Sequence, residues 1–273
     1  MESGSIVLPT CEVSMDPETA VELGVSWGIR HFELKTLWED RRVPNITDQQ
    51  RRQLRRLADQ YGVDWPTISP GLFIRGEATD SEARRALDDT VPRSIELAHF
   101  LGATTMIIFS FRKTAGVGEP WVIEQLSKVA DAAHGSGLTL AVEPLGGTYC
   151  DDAQALRRVI EGVDNPILRA NLDPGNVAAA GFHAFPDAYE PVRGLVAYVH
   201  LKNYSAVQKQ FMLFDQGDID LRAQLGALKA DGYRGYVAIE THTRYNKGGS
   251  ALPPVAASRA NCVTLQRWLA ELA

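Results

Sequence analysis

Cysteine is scarce in this chain. Cys11, Cys150 and Cys262 are its three cysteines, and no two form a CxxC pair, which excludes a cysteine-based zinc site by spacing and points to a reducing compartment. Long apolar runs are missing too: no stretch approaches the ~18 consecutive apolar residues of a membrane span. The opening MESGSIVLPT has neither a charged n-region nor an extended apolar segment, so no signal peptide is read there and a cytoplasmic location is expected. Basic residues are not in excess. A net charge of −6 gives no support to a nucleic-acid or membrane partner, both of which favour basic surfaces. After the first strand-like segment the chain reads PTCEVSMDPE, with no GxGxxG and no P-loop, which argues against an open nucleotide-binding sheet. Linkers and low-complexity stretches are absent as well.

What is present is alternation. At 273 residues and 45% hydrophobic, the chain can bury one substantial core, and a single α/β barrel has about this length, roughly 250 residues. Strands are read at SIVLPTC, IRHFELK, VDWPTIS, TTMIIFS, LTLAVE, LRANLD, VAYVHLK and YVAIE. Helical patterns separate them. Asp16-Pro17 sets a cap before a first-turn proline, and Thr47 caps TDQQRRQLRRLADQYG, which Gly62 ends. Further helices are expected over 79–101, 119–135, 151–163, 185–192, 219–231 and 255–272, with Pro92 kinking or splitting the first of these. Eight strands alternating with eight helices imply a (β/α)8 TIM barrel, here as one domain over 1–273.

Four of the strands end in a residue able to bind a divalent metal: Glu143, Asp173, His200 and Glu240. A hydrophobic strand can end in Ser, Gly or Asn without cost, whereas a buried carboxylate needs a partner or a metal. Strand residues alternate between faces, so the phase can be checked. Glu143 shares a face with Ala141 and Thr139, Asp173 with Asn171 and Arg169, His200 with Tyr198 and Lys202, and Glu240 with Ala238 and Tyr236. Singly, each is an ordinary strand-end charge, and DPGN an ordinary turn. Four in phase at the end of a barrel where active sites sit indicate a metal site. Three oxygens and one nitrogen suit Mn²⁺ or Mg²⁺, with Co²⁺ an option, better than structural zinc. Glu143 and Glu240 are the expected acid–base pair, with Asp173 and His200 as ligands only.

The motifs AVEPLGG, NLDPGN, YVHLKN, DQGDID and YVAIET, in this order, resemble those of the sugar isomerases and epimerases with a xylose isomerase-like barrel. The resemblance implies one divalent metal on Glu143, Asp173, His200 and Glu240, and proton transfer by the two glutamates through an enediolate of a sugar or keto-polyol. The chain departs from many epimerases of that family at Asn176, where they carry a histidine, and at Gly146 to Tyr149, where a second glutamate is common.

Further candidates for substrate contact are Lys202, Asn176, Glu33, Trp38 and His242, with Lys35 sharing the inward phase of Glu33. Lys202 is read as holding either a substrate oxygen or a metal carboxylate. Arg112, Lys113 and Arg244 read as ordinary loop charges. The long segments after His200 and Glu240 are expected to cover a substrate, although Phe211, Met212, Leu213 and Phe214 would also suit a subunit contact. An alternative outcome for the same first step is a dehydratase or lyase on a cyclitol or keto-sugar, as in inosose dehydratase-like relatives. The abasic-site endonuclease branch fits poorly, since six histidines and an acidic chain do not suit a multi-zinc DNA enzyme. A non-catalytic subunit ranks last. Oligomeric state is left open, homo-oligomers being common among similar barrels.

Overall fold

The computed structural model describes residues 5–247, 249 and 252–272. Eight parallel strands close into a barrel in chain order: β1 (Ile6–Pro9), β2 (His31–Leu34), β3 (Asp64–Leu72), β4 (Thr105–Ile108), β5 (Thr139–Val142), β6 (Leu168–Leu172), β7 (Val196–Leu201) and β8 (Val237–Ile239), which pairs with β1. The helices are α1 (Pro17–Ser26), α2 (Asp48–Tyr61), α3 (Asp80–Arg85), α4 (Val91–Leu101), α5 (Glu119–Ala132), α6 (Ala153–Val163), α7 (Pro174–Ala179), α8 (Leu221–Ala230) and α9 (Pro254–Leu272). This is the expected (β/α)8 barrel. Among the described residues no helix is long and apolar enough to cross a membrane.

Alternation along the strands separates two apolar regions. Val7, Ile107, Ala141, Tyr198 and Ala238 pack inside the barrel, while Leu140, Val142, Leu172 and Ile239 belong to the larger core between strands and helices. The phase read for β5, β7 and β8 is therefore the phase observed. The Tyr198 hydroxyl donates to Glu33 Oε2 at 3.0 Å, so no unpaired polar group is left among these apolar neighbours.

Helix starts follow their caps. Asp16 accepts from the Thr19 amide at 2.9 Å, and Thr47 forms a reciprocal capping box with Gln50, closed at the other end by Gly62 at φ +60°. Pro92 splits its helix as expected. It has no N–H to donate to the Asp88 carbonyl, and the chain runs through a π-helical stretch at Ala86–Thr90 between α3 and α4.

Two helix expectations are corrected. The segment 185–192 is turns with one 3₁₀ turn at Glu190–Val192, because Pro191 has no amide to donate to the Asp187 carbonyl as an α-helix would need. Conversely, DPGN is not a simple turn. Asp173 caps α7 and Pro174 occupies its first position, the same Asp–Pro start that opens α1. Two small antiparallel hairpins cover the C-terminal rim, Thr36–Leu37 with Arg41–Arg42 and Asn203–Ser205 with Gln210–Met212. In the long segment after Glu240, Gly248, Ser250 and Ala251 lie outside the described residues, as do positions 1–4 of the opening segment.

Candidate metal centre

Parallel strands in a closed barrel all end on one rim, so residues one step past each strand converge although they are far apart in sequence. Glu143, Asp173, His200 and Glu240 each offer a donor atom there, all within 4.8 Å of one another, and all four are buried. His200 Nδ1 lies 3.2 Å from Glu143 Oε2 and 3.3 Å from Glu240 Oε2. Those two carboxylate oxygens are buried, and Glu240 Oε2 is also 2.6 Å from Lys202 Nζ.

The orientation of His200 is set from behind. Its backbone N–H donates to Asn171 Oδ1 at 3.1 Å, which fixes the Asn171 amide so that Nδ2 faces His200 Nδ1 at 2.9 Å. The other ring nitrogen, Nε2, meets Glu33 Oε2 at 2.8 Å, and Tyr198 donates to the same oxygen at 3.0 Å. A carboxylate behind the imidazole is the usual device for holding a ligand histidine in one tautomer. Glu33, read from sequence as a substrate contact, is instead wholly buried beneath His200.

Two buried lysines share the carboxylates. Lys202 Nζ lies 2.8 Å from Asp173 Oδ2, 2.6 Å from Glu240 Oε2 and 3.0 Å from Asn176 Oδ1, so of its two readings the ordering of carboxylates is the one the geometry supports. Lys35 pairs with Glu240 Oε1. Gly175 lets Lys202 through: a Cβ there would stand 2.6 Å from the Lys202 side chain. Asn176 donates to Glu143 Oε1 at 2.8 Å and to the Pro144 carbonyl at 3.1 Å, so its amide is engaged in holding Glu143 and Lys202 and has little left for a substrate.

Burial and mutual charge act against one another on these groups. Burial raises Asp173, and the Glu143 and Glu240 carboxylates add to it, so it reaches about 7 despite Lys202. Burial would also raise Glu143, but the charge and hydrogen bond of His200 outweigh it and hold the group at about 2. For His200, burial opposes the charged form, yet Glu240, Glu33 and Glu143 raise it well above the ordinary imidazole range. Beyond the two lysine cations, the raised values of His200 and Asp173 favour a proton on each. A divalent ion would replace both. A donor set of three buried carboxylates and one imidazole fits such an ion.

Sequence reading missed Glu12. The first strand was expected to continue through Cys11, but the chain turns into a 3₁₀ helix at Thr10–Glu12, which swings the buried Glu12 to the His242 loop. Its Oε2 accepts from the His242 amide at 2.9 Å, and its Oε1 lies 3.2 Å from His242 Nδ1. His242 Nδ1 is also 3.6 Å from Glu240 Oε1, so the imidazole read as a rim candidate is part of the site. Trp38 is less central. It is half-buried on the main core in a turn where Trp38, Glu39 and Asp40 all have positive φ. Two of the three DQGDID acids are structural: Asp218 accepts from the Ala206 amide and Asp220 caps α8. Arg112 donates to the Gly146 carbonyl and Lys113 pairs with Asp151.

Residues 21–271 match the family model of the xylose isomerase-like TIM barrel. The chain belongs to that family. Solved structures superpose over nearly its whole length. An L-ribulose 3-epimerase is 19% identical with a TM-score of 0.79, over 98% of this chain and 95% of that one. The IOLI protein with a binding zinc atom is 16% identical with a TM-score of 0.81, over 98% and 99%. A xylose isomerase-like TIM barrel protein from Mycobacterium smegmatis in complex with magnesium is 16% identical with a TM-score of 0.75, over 100% and 99%. No curated protein matches the sequence significantly.

Proposed function

We propose that the chain is a divalent-metal-dependent isomerase or epimerase of a sugar or keto-polyol, working by proton transfer beside a carbonyl. One observation carries this reading: Glu143 Oε2 and Glu240 Oε2, both buried, face the same nitrogen of His200 from separate strands. The fold neighbours described as an epimerase, a zinc-bound protein and a magnesium-bound protein support it.

Glu143, Asp173, His200 and Glu240 would hold the ion, with Mn²⁺ or Mg²⁺ favoured by the oxygen-rich donors. When bound, a divalent cation supplies Lewis-acid polarisation of a carbonyl and its neighbouring hydroxyl. The proton chemistry belongs to the chain. Glu143, on β5, and Glu240, on β8, approach from different sides of the rim, so one can take a proton from carbon and the other can return one. Asn176 holds Glu143 by hydrogen bonding, while Lys35 and Lys202 grip the two oxygens of Glu240 and keep it ionised. Burial of all these groups excludes bulk water, which strengthens each interaction.

The test combines metal content with product mass. Purified protein is expected to hold close to one equivalent of metal, lost in His200→Ala and Glu240→Gln, and to turn over a member of a keto-sugar and polyol panel with no change in mass. A product lighter by one water would assign a dehydratase instead, and a protein with no affinity for divalent metals would remove the reading.

A further inference from the structure

The apolar run from Phe211 to Phe214 is only partly used by the core. Phe214 is buried there, whereas Phe211, Met212 and Leu213 are half-buried and line a cleft of about 350 Å³. Thr243 and Leu252, from the segment after Glu240, line it as well. Small-molecule sites commonly have volumes of about 300–1,000 Å³, and this cleft falls within that range.

Its lining has a definite chemistry. None of the described residues around it is charged; the polar ones are carboxamides, such as Gln208 and Gln216, and the Thr243 hydroxyl. Two other clefts differ in this respect, one holding Arg84 and Lys128 and another Asp231 and Arg234. An ionised ligand entering the Phe211 cleft would lose hydration without gaining an ion pair. An aromatic ligand gains more, because a phenyl ring and a thioether both attract a second ring. Thr243 is 4% exposed, and its hydroxyl has no hydrogen-bond partner among the described residues. Such a buried hydroxyl is unfavourable until an oxygen or nitrogen of a ligand meets it.

The cleft adjoins the metal centre. It is built from the two segments that follow His200 and Glu240, and Asn246 joins them. Asn246 Oδ1 accepts from the Phe211 amide at 2.8 Å, and its Nδ2 donates to the Phe211 carbonyl at 2.9 Å. The Phe211 ring centroid is 5.2 Å from that of His242, whose Nδ1 lies 3.6 Å from Glu240 Oε1. Phe211 thus borders both places, and a substituent on a molecule held at Glu240 is within reach of the cleft.

We propose that this cleft is a second binding site, for an uncharged aromatic group with one hydrogen-bonding atom, and that the substrate carries that group as a substituent on its polyol. The substituent's link to the metal centre rests on the isomerase reading above; the affinity of the cleft for an aromatic molecule does not.

The experiment follows binding to the full chain by ligand-observed NMR, in two parts. The metal-free protein is titrated with benzyl alcohol and with benzoate, and the Mn²⁺-loaded protein with phenyl and methyl β-D-glucopyranoside. Benzyl alcohol is expected to bind about tenfold or more tightly than benzoate, and the phenyl glucoside to exceed the methyl glucoside by a similar factor. Leu252→Asp puts a charge on the cleft at an exposed position, and Thr243→Val removes the unpaired hydroxyl at constant shape. Each should weaken both aromatic ligands about tenfold while leaving the methyl glucoside and Mn²⁺ affinity as in the wild type. Equal binding of benzoate, or aromatic binding indifferent to Leu252→Asp, would remove the aromatic site. Aromatic binding indifferent to Thr243→Val would remove the hydrogen-bonding atom from the ligand's description. A dimer that dissociates in Leu252→Asp, with no aromatic ligand bound, would give the cleft to a second copy of the chain. A phenyl glucoside bound no more tightly than the methyl one would detach the cleft from the substrate. Deuterium exchange from D₂O into a keto-sugar panel is measured alongside: its absence, with the aromatic ligands bound as expected, would remove the isomerase reading and keep the cleft.

Discussion

Glu33 Oε2 lies 2.8 Å from His200 Nε2, at the ring nitrogen that Glu143 and Glu240 do not face. The imidazole is thus gripped on one side by a residue that never reaches the rim and offered on the other to the carboxylates.

Glu33→Gln keeps an acceptor but removes the charge behind the ring. Metal affinity is expected to fall about 10- to 100-fold, as for other partners of ligand histidines. Calorimetric metal titration checks this, and an unchanged dissociation constant would assign Glu33 a purely structural role.

Metal uptake should release protons. His200 is held charged by its carboxylates and Asp173 is raised to about 7, so an incoming ion must displace protons from both. Affinity should therefore rise with pH between 6 and 8, and the heat of binding should vary with the ionisation enthalpy of the buffer.

The metal-free protein should show the opposite trend. Asp173 rises from 3.8 in the unfolded chain to about 7, so the folded state holds the extra proton and its stability falls as pH climbs through that window. His200 acts with the same sign: its contribution is full below the ordinary imidazole value and is lost as pH rises through its raised one. Glu143, lowered from 4.5 to about 2, contributes stability that is full above pH 4.5 and is lost as pH falls through about 2. The melting temperature of the metal-free form should drop between pH 5 and 7.5, and the rise on adding metal should be larger at the higher pH.

Asn176→Ala leaves Glu143 Oε1 buried without its donor. A cost of about 1–3 kcal/mol is expected in denaturant unfolding of the metal-free protein. Turnover should fall more than substrate affinity, because Glu143 loses the contact that aims it.

At Gly175, an added methyl would meet the Lys202 side chain 2.6–2.8 Å away. Gly175→Ala should push Lys202 off Asp173 and destabilise the fold by about 1–3 kcal/mol. Gly146→Ala, where the nearest contact is 3.3 Å from Ala180, should cost much less in the same assay.

The sequence by itself determined the barrel and the four converging donors. Strand periodicity is local, so the phase of β5, β7 and β8 could be followed residue by residue to Glu143, His200 and Glu240. Caps such as Asp16 and Thr47 are local as well, being bonds made within three residues of their own position. Contacts across the barrel were decided only by the tertiary structure. Glu33 meets His200 across 167 positions, Glu12 meets His242 across 230, and Asn246 clamps Phe211 across 35. Nothing in the immediate neighbourhood of Glu33 or Glu12 distinguishes a carboxylate that orients a histidine from one that meets a substrate. That difference is made by barrel closure, which brings β1 beside β8 and turns the ends of distant strands into one site.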